Sequence, residues 1–265
     1  MTAVVLPSLA TLARRRFALT TRTPRELLVP LLTPILFALI IAPALKQALH
    51  TGTAYESFVA TGTIGLLIPL NTMFAGLSVI VDRESGAQRE LLAAPVPRAV
   101  LVLANLTVAL AVTALQVGVL IAAAAARGID FNVSAGGLAW FVAATVFFTA
   151  GMAGVGETLA SRVPRAEEYI ARVPAIAIVP WFLAGSLFPI GALPTFLTWI
   201  ARFLPLTHAL ALVRYGLLGD STGLHGIWRS SNDVLMAAGS LAVVAAFALL
   251  LTAVSVRVFT SAALR

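Results

Sequence analysis

Six long apolar runs constrain this chain more than any other feature, at about 27–45, 58–81, 99–126, 135–160, 169–188 and 234–257. Several reach or exceed the ~20 residues that carry a helix across a bilayer. A water-soluble fold has no place for such segments, because a helix that is apolar all round needs lipid or a large core about it. Composition agrees: 60% of the 265 residues are hydrophobic and 11% are charged, against roughly 25% charged in soluble domains. Mean hydropathy is +0.98. The expectation is an all-α membrane protein, one domain over residues 1–265, with six transmembrane helices. Pro34, Pro69 and Pro180 lie inside these runs and are tolerable there, since neighbouring groups satisfy the carbonyls they free.

Before the first run, residues 3–23 are basic, with Leu9, Leu12, Ala13 and Phe17 at helical spacing and Arg14, Arg15 and Arg22 elsewhere. This pattern predicts an interfacial helix on the cytoplasmic leaflet, ended by Pro24. Orientation follows the positive-inside rule. With the N-terminus inside, Arg14, Arg15, Arg16, Arg22, Arg25, Arg83, Arg89, Arg98, Arg162, Arg165, Arg172, Arg257 and Arg265 lie inside. Lys46, Arg127, Arg202, Arg214 and Arg229 lie outside, thirteen against five of the 18 basic residues. Both termini are therefore expected in the cytoplasm. Between the fifth and sixth runs, Gly185, Pro189, Gly191 and Pro194 break any helix, and two short apolar pieces follow near 195–204 and 206–218, separated by Pro205. Trp199, Phe196, Ile200 and Phe203 are too apolar for a solvated loop, so 189–219 is expected to re-enter the outer leaflet as short helices.

The formal charge of +7 does not indicate nucleic-acid binding, because the arginines gather at the ends of apolar runs rather than on one polar face. There is no cysteine, so disulfides and thiolate metal sites are excluded. His50, His208 and His225 all fall in outer segments. Glu157, the one acid within a run, lies near a cytoplasmic end and reads as a snorkelling residue or a partner for Arg162. Neither a catalytic set nor a metal cluster is visible. An ion-gradient carrier buries ionisable groups near the midplane, and none is found there. The single lysine, Lys46, lacks the glycines of a phosphate-binding loop. Any ATP and Mg used by this system must therefore sit on another polypeptide.

Residues 82–98 are the most informative polar segment. They set Asp82, Glu84 and Glu90 against Arg83, Arg89 and Arg98, with Leu91 and Leu92 between Gly86 and Pro95. A short amphipathic helix here would present charge to a partner and leucine to a groove. On these residues alone a docking element and a solvated connector both remain open.

The segment is similar to the cytoplasmic coupling loop of ABC-2 type transporter permeases, a pattern of the form D-R-E-x-G-T-x-E-x-L-L-x-x-P-V-x-R. Asp82, Arg83, Glu84, Gly86, Leu91, Leu92, Pro95, Val96 and Arg98 match it. Ala87 replaces the usual threonine, and Arg89 the usual acid, with Glu90 one place later. A second stretch resembles the same family at Phe182–Pro189, Leu193-Pro194, Pro205-Leu206-Thr207 and Arg214–Gly219. The daunorubicin-resistance type of drug exporter looks nearest. The resemblance implies a permease subunit moving a hydrophobic or amphiphilic compound out of a bacterial cell, through the cytoplasmic membrane. It implies two separate ATP-binding subunits, a second permease of the same or a homologous chain, and coupling contacts from Asp82, Arg83, Glu84, Gly86, Glu90, Leu91, Leu92, Pro95 and Arg98. A substrate path would run along spans two and five, with Asn71, Phe74, Trp181, Phe182 and Phe188 as candidates. Export of a lipid or glycan precursor, an ion-driven carrier and a non-transporting membrane anchor are the rival readings.

Overall fold

A computed structural model describes residues 2–22, 24–48, 53–93, 96–228 and 230–262. Of the residues used above, His50, Pro95, Arg229 and Arg265 lie outside the described residues. Every element among the described residues is helical. The helix α1 (Thr2–Arg22) stops two residues before Pro24, whose ring disfavours helical backbone in the residue preceding it. It packs chiefly along α6 (Arg98–Ala126). The first apolar run is a rod in three parts: α2 (Pro24–Leu36), a π turn (Phe37–Ile41) and α3 (Ala42–Ala48). The Ala42 N–H bonds the Phe37 carbonyl, five residues back, which marks the wider turn.

The centre of the bundle is α4 (Thr53–Glu84). Its crossing segment is 67% buried, whereas that of the last helix, α12 (Asp233–Ala262), is 28% buried. Buried polar side chains of α4 find partners on their own helix or on a neighbour. Thr63 and Thr72 donate to Ala60 and Ile68 carbonyls, and the Asn71 amide donates to Thr113 Oγ1 on α6 at 2.6 Å. Such internal bonds let polar groups sit where no water reaches. Between α4 and α12 runs α7 (Ala135–Arg162), started by Ser134, whose hydroxyl accepts from the Gly137 N–H. Small residues bring these backbones together. A Cβ at Gly154 would meet the Leu251 carbonyl carbon at 2.6 Å, and one at Gly137 would meet Gly216 O at 2.5 Å.

The fifth run differs from its expected extent of 169–188. The helix α8 (Ala166–Leu183) ends at Leu183, and Gly185 then turns with φ +80°. Glu167, Glu168 and Arg172 fall within its eighteen residues, so length and apolarity alone do not make it a crossing helix. Five helices pass that test, or six if the next pair is counted as one. That pair, α9 (Thr195–Phe203) and α10 (Pro205–Leu218), meets at 80°. Pro205 opens α10 in the first-turn position where its missing N–H costs nothing. Gly219, with φ +69°, closes it, its N–H bonding the Arg214 carbonyl. Buried on nearly every face, α10 wedges against α7, α12 and α4. On α9, by contrast, Phe196, Trp199 and Phe203 stay exposed. The short α11 (Thr222–Ile227) follows, and α5 (Ala87–Ala93) bridges α4 and α6 at the opposite end of the bundle.

Candidate functional site

The end of the bundle carrying α1 and α5 is built around arginines. Arg16 projects inward from α1, its Nη2 donating to Asp82 Oδ2 at 2.7 Å and its Nε to Asn105 Oδ1 at 3.0 Å. One guanidinium thus joins α1, the end of α4, and α6. Arg83 reaches the last turn of α7, donating to the carbonyls of Ala160, Val163 and Pro164 at 3.1, 2.6 and 3.0 Å. Arg98 does the same for α12, donating to Thr260 O at 3.1 Å. A cation at a helix C-terminus satisfies carbonyls without an intrahelical partner and complements the helix dipole. The structure therefore places Asp82, Arg83 and Arg98 in contacts within this chain.

Between those ties the segment faces outward. Gly86 makes the turn after α4 with φ +80°, and a Cβ there would touch nothing. Glu84, Arg89 and Glu90 are exposed. Leu91 and Leu92 are half-buried and pack on the bundle's own cluster of Val79, Ile80, Leu101 and Phe259. The leucines expected to enter a partner's groove thus lean on this chain, while the charges point away from it.

Glu157 departs from its expected role as a snorkelling residue or a partner for Arg162. It is 7% exposed, and its Oε2 accepts from Ser255 Oγ on α12 at 2.6 Å. Asn105 adjoins the same carboxylate and accepts from Arg16. The reason is geometric: position 157 lies on the α7 face turned to α12, which small residues hold close. The network of Arg16, Asp82, Asn105, Glu157 and Ser255 could have been suspected from one signal. Arg16 is four residues from Leu12 and seven from Leu9, on the apolar stripe of α1. Phe17, assigned to that stripe, is 46% exposed instead.

The path candidates divide. Asn71 is buried against Thr113. Trp181 is 1% exposed, donates Nε1–H to Gly62 O at 2.8 Å and meets Phe37 edge-on at 5.1 Å between centroids. These two join helices. Phe74 is half-buried and lines a small cleft with Arg16 and Asn105. Phe182 and Phe188 are exposed. The larger feature at the far end was not singled out from the sequence: an open cavity of about 880 Å³ between α4, the Gly185–Gly191 turn, α10 and α11. Its wall includes Arg214, which is 3% exposed.

Five helices among the described residues are long and apolar enough to cross a bilayer, or six with the bent pair counted as one, and they define a polytopic membrane protein. The family described as ABC-2 type transporter matches residues 7–218, and the chain belongs to that family. Two relatives bear the name "Putative transport permease ycf38". The one from Porphyra purpurea is 24% identical over 216 residues, covering 80% of this chain and 74% of its own. The one from Pyropia yezoensis is 25% identical over 199 residues, covering 73% and 68%. This chain is a membrane permease subunit.

Proposed function

We propose that the chain is the membrane-spanning subunit of an exporter whose ATP is hydrolysed by a separate subunit, present in two copies beside a pair of permeases. In this reading α8 completes six crossings, both termini face the cytoplasm, and the α9–α10 pair re-enters the outer leaflet of a bacterial plasma membrane. The observation that carries it is the mounting of residues 82–98. Outward-facing Glu84, Arg89 and Glu90 sit on a hairpin whose flanks are fixed to α1, α7 and α12 by Arg16, Arg83 and Arg98. Force applied to those charges passes directly into three helices. A hydrophobic or amphiphilic cargo suits an interior with few fixed charges, as in exporters of the daunorubicin-resistance type.

Co-purification with a candidate ATP-binding subunit tests the proposal. Replacing Glu84 and Glu90 together by arginine is expected to abolish capture of that subunit and cargo-stimulated ATP hydrolysis, while the permease melts as before, because both side chains are exposed. Unchanged capture by this variant sinks the coupling role. Gradient-driven transport by the purified chain alone would replace it with an ion-coupled carrier.

A further inference from the structure

We propose that the cavity at the α9–α11 end is a binding site for an anionic amphiphile, with Arg214 receiving a phosphate or carboxylate oxygen and the apolar wall receiving the body. The inference deepens the permease reading, on which its placement at the outward face rests.

The case begins with a buried charge that has no acid in contact with it. Arg214 is 3% exposed, yet no carboxylate among the described residues lies within ion-pair distance of it. Its Nη2 donates to Phe58 O at 3.1 Å and Ser186 O at 3.2 Å, and its face lies 3.4 Å from the Phe58 ring centroid. Those contacts brace α10 against α4 and the Gly185 turn, but they use one nitrogen. Among the described residues, Nε is buried without a partner. A second orphan stands on the same wall: Thr207, 3% exposed, whose Oγ1 has no partner among the described residues. Asp220 attracts this cation only from beyond contact distance, so its burial is incompletely offset, and an orphaned hydroxyl adds to the cost. A charge-assisted bond from an oxyanion would relieve the cation.

The ligand's other half follows from the wall and the rim. Phe58, Ile190, Ala211 and Leu218 supply apolar surface, and about 880 Å³ is within the range of small-molecule sites. The acids Asp130 and Asp220 are more exposed than Arg214, and Asp220 already accepts from the Thr222 N–H. His225 is engaged with Asp233 at 3.1 Å. The least exposed charge on the wall is therefore positive, and the acids nearer solvent disfavour polyanions, so a single anionic group on a greasy body fits best.

The test uses decyl phosphate and the purified full chain in phosphatidylcholine nanodiscs, read by the shift in melting temperature. Saturable stabilisation is expected with decyl phosphate and none with decyl glucoside or decyltrimethylammonium. Arg214→Gln should abolish it. Because that variant also loses the brace, Gly191 provides a second test: it lines the cavity, is exposed, has ordinary φ, and a Cβ there meets nothing within 4 Å. Gly191→Glu should weaken binding by about tenfold through like-charge repulsion, and Gly191→Gln by no more than about twofold. Absence of saturable binding, or equal affinity in Gly191→Glu and wild type, overturns the site. Competition by phosphatidylglycerol in the nanodisc would assign the pocket to a lipid headgroup; its absence would assign it to a soluble amphiphile, and both support the site. ATP-dependent export measured with the motor subunit separates the two claims: binding without export refutes only the permease reading, and export without binding refutes only the site.

Discussion

Arg16 and Asp82 meet at 2.7 Å with 11% and 12% of their side chains exposed, and Asn105 shares the same guanidinium at 3.0 Å. Removing either partner leaves a largely desolvated charge behind, so Arg16→Gln and Asp82→Asn should each lower the melting temperature. Neighbours in one network are not additive. A double-mutant cycle is expected to return a coupling of about 1–3 kcal/mol, and strictly additive losses would show the tie to be inert. Arg83 acts on carbonyls rather than on an acid. Arg83→Ala strips three acceptors at the end of α7 and should cost about 1–3 kcal/mol. Hydrogen exchange at residues 157–163 would report it as faster opening of that helix end.

Helix contacts here depend on what side chains leave out. Gly154 lies so near Leu251 that any Cβ must displace backbone. Gly154→Val is expected to separate α7 from α12 and destabilise by at least about 1–3 kcal/mol, the usual cost of overpacking. The change should also weaken the Ser255–Glu157 bond that spans the same seam. A folded variant with native melting would contradict this packing. Element existence was legible because bilayer length and turn residues are local signals: Pro24, Gly86, Pro205 and Gly219 each mark a boundary seen in the structure. The end of α8 at Leu183 was less so, since the apolar run continues through Ala184 and Phe188 while the backbone has already turned at Gly185. Side-chain partners were least legible. Glu157 finds Ser255 ninety-eight residues away, and Arg214 finds Phe58 at a separation of 156. No periodicity within a helix encodes which neighbour its buried face will meet.

For the molecule as a whole, the proposed orientation predicts where each end of the bundle meets water. The chain has no cysteine, so one substitution creates one thiol. Glu90→Cys should react with a membrane-impermeant maleimide only in inside-out vesicles, and Gly191→Cys only in right-side-out ones. The reverse pattern would remove any motor from reach of residues 82–98. The family and the multi-pass architecture were readable from motifs and apolar runs. The cavity was not, because its wall draws on α4, the Gly185–Gly191 turn, α10 and α11, which only the folded bundle brings together.

The wide turn at Phe37–Ile41 gives the first apolar rod a property that an uninterrupted α-helix lacks. One additional residue per turn offsets the two halves of the rod by about 100° relative to an uninterrupted α-helix. Were the turn to tighten, Ala42–Ala48 would rotate by that angle relative to Pro24–Leu36. Phe37, at the first position of that turn, is the residue that meets Trp181 edge-on.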